Sequence, residues 1–189
     1  MIGITKRSFF LALTCAIFAS STSIFAAAVK SEDELIAALA APKENTVISA
    51  LQQLEYNYPT STKAHAAMKP LLADNRMKVR TKAARVLGAI HAEVSEADLK
   101  NITGLLNDPN KAVIIEGLKS LRGLKAQSTI PQITPLLKHA DKNVVRDSCR
   151  TLAVLGDKSL IPLIKPLLEV PDLAVQKDAA DAIAILKEK

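Results

Sequence analysis

The sequence predicts an all-α superhelix made of five two-helix repeats. Three observations predict it: one register recurring five times, an apolar stripe too broad for a lone helix to bury, and a chain nearly free of aromatic residues beyond position 25.

The register is clearest where Ile130-Pro131-Gln132-Ile133-Thr134-Pro135-Leu136-Leu137 matches Ile161-Pro162-Leu163-Ile164-Lys165-Pro166-Leu167-Leu168, an offset of 31 residues. Eight residues after the first leucine of each pair stands a valine, Val144 or Val175. The same frame runs backwards, pairing Leu105 with Val113, Leu71 with Val79 and Leu39 with Val47. Three residues before those leucines stand Ile36, Met68, Ile102, Ile133 and Ile164. Self-similarity at a period of 31 to 34 residues marks a solenoid, in which each unit completes its core against its neighbours. The repeats span approximately 31–58, 60–92, 95–126, 128–157 and 158–189, within a domain covering 29–189.

Each copy should hold two helices separated by a turn. The turns carry residues that break helices: Pro42, Asp74-Asn75, Asp108-Pro109-Asn110, Asp141-Lys142-Asn143 and Pro171-Asp172. Ser31-x-x-Glu34 has the capping-box pattern, and Ser95-x-x-Asp98 marks a second helix start. In the second helix, apolar residues fall at the valine and four, eight and eleven positions on, as in Val79, Ala83, Leu87 and Ile90, or Val113, Gly117, Leu121 and Leu124. At 3.6 residues per turn these make a stripe roughly 80° wide, which only stacked neighbours can cover.

The fullest copy, Pro70-Leu71-Leu72-Ala73-Asp74 through Val79-Arg80 to Ala83-Ala84 and Leu87-Gly88, resembles a HEAT repeat. The short period, and a proline within the first helix at Pro70, Pro135 and Pro166, are similar to the HEAT-like repeats of the phycobilin lyase group. The resemblance implies a HEAT-like solenoid, a contact between the turn aspartate and the arginine within one repeat, and a binding role. It also implies an alternative, a lyase or chaperone for a tetrapyrrole-like ligand. The arginine is replaced by Ile114, Val145 and Gln176 in three copies.

The first residues read as a signal peptide spanning 1–28. Lys6 and Arg7 precede an apolar run from Phe9 to Ala19, followed by a polar segment and Ala26-Ala27-Ala28, with cleavage expected after Ala26 or Ala28. An uncleaved anchor is the alternative, because 8–29 carries no charge. After cleavage no stable membrane insertion is expected, and the location would be periplasmic or secreted. Removing Lys6 and Arg7 takes two positive charges from a formal net charge of +6, leaving a mildly basic chain. Cys149 would then be the sole cysteine, so the exported fold would rest on its core without an intrachain disulfide.

The composition narrows the function. All four phenylalanines lie in the first 25 residues, and Tyr56 and Tyr58 are the only later aromatics. Without ring platforms, single-stranded nucleic-acid binding is not expected. No phosphate loop, hydrolase elbow or paired-carboxylate motif appears, so neither catalysis nor a cofactor is expected. His65, His91 and His139 fall at unrelated repeat positions without ligand spacing, so no metal site is expected. Cys149 occupies an apolar slot and reads as a buried structural thiol. Tyr56 and Tyr58 are expected to pack between the first two repeats, with Tyr56 also at a groove position.

The candidate site is the face of the second helices opposite the stripe, two, six and nine residues after each valine. It presents Arg85, Lys119, Arg122, Arg146, Arg150 and, at its end, Asp181. One reading is a concave groove for a partner protein bearing an acidic segment. The other is a solvated face, with Glu116 neutralising Lys119 and Asp147 neutralising Arg150, each from three residues away.

Overall fold

The computed structural model describes residues 30–89 and 94–189. The expected signal peptide, together with Ile90 and His91, lies outside the described residues. Among the described residues there are ten α-helices and no strand, and 32–189 forms one compact unit.

The helices come in five pairs. Glu32–Ala38 (α1) precedes Glu44–Asn57 (α2), and Thr62–Met68 (α3) precedes Met77–Ala89 (α4). Glu96–Gly104 (α5) precedes Lys111–Gly123 (α6), and Ile130–Ile133 (α7) precedes Lys142–Leu155 (α8). Ile161–Ile164 (α9) and Leu173–Lys187 (α10) complete the series.

First and second helices differ in continuity, and proline is one cause. Pro70, Pro135 and Pro166 each sit in the first turn of a 3-10 segment that continues α3, α7 and α9. Proline has no N–H and its ring crowds the carbonyl four residues back, so the α ladder cannot run through it. The first position of a new segment needs no donor, and the chain tightens there instead. Leu105–Asn107 makes the same change after α5 without a proline. The second helices run unbroken for 13 to 15 residues.

The turns are held by their own aspartates and asparagines. Asp141 and Asp172 accept from the backbone N–H groups of Asn143 and Ala174, and Asn110 accepts from Ala112. Ser95 and Asp98 form a reciprocal capping box at α5. The register valines Val47, Val79, Val113, Val144 and Val175 are all buried, with Met68, Ile102, Ile133 and Ile164 facing them from the first helices. All of these except Val175 belong to one continuous core, as expected when each unit closes against the next. Among the described residues no helix is long and apolar enough to cross a membrane.

Tyr58 packs against this core, but Tyr56 does not, correcting the expectation that both would lie between the first repeats. Tyr56, nine residues after Val47 and so opposite the apolar stripe of its helix, is 86% exposed, whereas Tyr58 lies just past the helix as its C-cap. Cys149 is fully buried, and burial pushes its thiol up to about 12, which suppresses the reactive thiolate.

Candidate partner-binding face

The second helices place the six candidate residues along one side of the stack. Their electrostatics differ from a simple basic row, because buried carboxylates stand behind the arginines. The residues three after each valine are Ala50, Lys82, Glu116, Asp147 and Asp178, about 60° from the nearest position of the candidate row, position six. Lys82, Asp147 and Asp178 are buried there. Glu116 and Asp147 at this position were expected as local partners of Lys119 and Arg150; the burial of Asp147 and Asp178 and their pairing across repeats were not expected.

Most pairs cross from one repeat to the next. Glu55 of α2 takes Lys82 at 2.7 Å and Arg85 at 3.7 Å, both from α4. Asp178 of α10 accepts from Arg146 Nε at 2.6 Å and from Arg150 Nε at 3.0 Å, both from α8. Arg122 of α6 reaches Asp147 Oδ1 of α8 at 3.8 Å. The expected neutralisation of Lys119 by Glu116 is present at 3.4 Å. That of Arg150 by Asp147 is looser, at 3.9 Å, and Asp178 is the nearer partner at 2.9 Å. Asp181 pairs with Lys177. The hydrogen bond to Asp178 raises the Arg146 pKa above its ordinary value.

The contact expected between turn aspartate and arginine within a repeat is also corrected. Arg80 Nε and Nη2 donate to Asp108 of the following repeat at 2.7 and 3.0 Å. Its own turn supplies only the carbonyls of Asp74 and Asn75, at 2.8 and 3.1 Å. The arginine therefore staples two repeats rather than closing one.

A groove of about 300 Å³ opens on this face across α2, α4 and α6, lined by Ile48, Gln52, Met77, Thr81, Arg85 and Glu116. Tyr56 is exposed at the end of α2. Among the described residues no group of three or more His, Cys, Asp or Glu side chains is placed to hold a metal ion.

Residues 99–184 match the family model for HEAT repeats. The described stack has a HEAT-like solenoid fold. Its fold is similar to that of the CpcE–CpcF complex of phycocyanin lyase from Nostoc sp. PCC7120, at 23% identity and a TM-score of 0.72. That match covers 85% of this chain, which spans just under two thirds, 66%, of the matched chain. An engineered protein is similar at 20% identity and a TM-score of 0.61, covering 83% of this chain and 79% of its own. A designed armadillo repeat protein in complex with the peptide (KR)4 is similar at 20% identity and a TM-score of 0.60, with 82% of each chain covered. No curated protein matches this chain in sequence.

Proposed function

We propose that this chain is an exported scaffold that binds a partner protein along its second-helix groove and performs no chemistry of its own. The observation that carries this reading is the arginine row of Arg122, Arg146 and Arg150, held in place by carboxylates buried beneath it. Side chains fixed before binding lose less entropy on association, so such a face suits recognition. The designed armadillo solenoid in complex with (KR)4 supports the idea that a stack of this fold can hold a peptide. Here the charge is reversed, so the expected segment is acidic. The leader-like residues 1–28 support export to a periplasm or secretion.

Reversing the charge at Arg85, Lys119 and Arg150 together should abolish recovery of the partner in crosslinked pull-downs, with helicity retained. Unchanged recovery from a folded triple variant would eliminate the groove. A tetrapyrrole-handling role rests on fold likeness to the CpcE–CpcF complex alone.

A further inference from the structure

Resting on the groove reading, a sharper feature lies where the third, fourth and fifth repeats meet. Arg122, Arg146 and Arg150 share two carboxylates, those of Asp147 and Asp178. Asp178 accepts from both Arg146 and Arg150, so two like charges converge on one acid. Asp147 Oδ1 lies 3.8 Å from Arg122 and 3.9 Å from Arg150. The surrounding charges cancel in pairs, Lys119 with Glu116 and Lys177 with Asp181. One positive charge is thus left over, on side chains that remain 28 to 44% exposed.

The donors are unequally used. Arg146 spends Nε on Asp178, and its Nη1 makes a long bond of 3.5 Å to Asn143. Arg122 offers Nη1 to Thr151 at 3.5 Å. Among the described residues, Arg146 Nη2 and the Nε and Nη2 of Arg122 donate to no protein acceptor. These rigid forks match the geometry of a carboxylate, which accepts paired N–H donors.

We propose that Arg122, Arg146 and Arg150 form a carboxylate clamp, taking one aspartate or glutamate side chain of the partner segment. The charge argument selects a carboxylate over a phosphate. One anion of unit charge completes the cluster, whereas a phosphate monoester brings about −1.5 to −2 and overshoots it.

The test is fluorescence anisotropy on the full chain at low ionic strength, using a fluorescein-labelled octapeptide of alternating glutamate and glycine. Glutamine and phosphoserine versions of the peptide serve as comparators. The clamp predicts that the glutamate peptide binds at least tenfold more tightly than the glutamine peptide. Arg146→Gln and Arg150→Gln should each weaken it about tenfold. Arg122→Gln, which disturbs only long contacts, should weaken it severalfold, while Lys165→Gln on the first-helix side should leave it unchanged. Equal binding of the glutamate and glutamine peptides, or indifference to Arg122→Gln in a folded variant, would overturn the clamp. Tenfold preference for the phosphoserine peptide would overturn the carboxylate assignment. If the clamp fails while charge reversal still removes the crosslinked partner, the groove reading stands; if both fail, it falls too.

Discussion

Two junctions in the stack use arginine in opposite ways. Between the second and third repeats, Arg80 lies one residue after the register valine and is consumed by the turn edge, bonded to Asp108, Asp74 and Asn75. Its side chain is 14% exposed and that of Asp108 8%. Between the fourth and fifth repeats, Arg146 lies two residues after its valine, and Val145 is buried in the slot that Arg80 fills. One residue rotates a side chain by about 100°, enough to carry the guanidinium from the edge to the groove. The edge is then bridged by Lys142 to Asp172 at 2.9 Å, with Lys142 64% exposed. One junction has a buried staple, and the other has a solvated rung, with its arginines paired to Asp178 on the second-helix face.

The largest expected consequence is at the buried staple. Arg80→Gln should cost about 3–5 kcal/mol in urea denaturation, because it strands Asp108 without its partner in a poorly solvated place. A loss comparable to that of an exposed pair would show that the two junctions are equivalent.

Close packing reinforces the junction between the second and third repeats. A methyl group at Gly88 would sit 2.6 Å from Ser120 Cα, and the Ser120 hydroxyl donates to the Ala84 carbonyl at 2.7 Å. Gly88→Ala should therefore cost as much as about 3 kcal/mol by forcing the helices apart, although alanine is the better helix former. A stabilised Gly88→Ala protein in the same denaturation would mean that α4 and α6 have room to separate.

The same junction should be acid-sensitive. Burial pushes the Asp98 carboxyl up, but Lys69 and Ser95 more than reverse this and hold it at about 2 against an ordinary value of 3.8. A depressed carboxylate stabilises the fold above its unfolded value, and that contribution disappears as pH falls through the folded one. Between pH 3.8 and about 2 the loss should reach about 2 kcal/mol. Burial also lowers the pKa of His65, outweighing the attraction of Asp98. A histidine held neutral in the fold and protonated when unfolded removes stability as pH drops below 6.5, so weakening should begin there. Urea midpoints measured across this range should fall, and Asp98→Asn should flatten the lower limb. A pH-independent midpoint would contradict both assignments.

The smallest effect belongs to the solvated rung. Lys142→Gln should change stability by no more than about 1 kcal/mol, and added salt should erase the change. A larger loss would erase the contrast between the two junctions.

The helices and their order were legible because valine and leucine recur at helical spacing, and because proline and aspartate mark local events. Capping by Ser95 and burial of Cys149 followed from single repeat slots. The pairing of charges was not legible. Whether Arg80 meets Asp74 or Asp108, and whether Arg150 prefers Asp147 or Asp178, depends on how far one repeat is displaced on the next. Periodicity within a helix carries no information on that displacement. Tyr56 was misplaced for a related reason, since the end of α2 alone does not tell which neighbour reaches it. The acids Glu116 and Asp147 were legible as partners within their own helix, whereas the role of Asp178 was not, because it pairs with arginines of the preceding repeat.

Site-specific photocrosslinking distinguishes the second-helix face from the first-helix face as the place where a partner docks. A benzophenone side chain would be placed singly at Ser49, Ile115 and Lys177 on that face, and at Lys100, Gln132 and Leu163 on the first helices. A binding face on the second helices gives one common partner band from the three second-helix positions and none from the first-helix positions. The reverse pattern would contradict it.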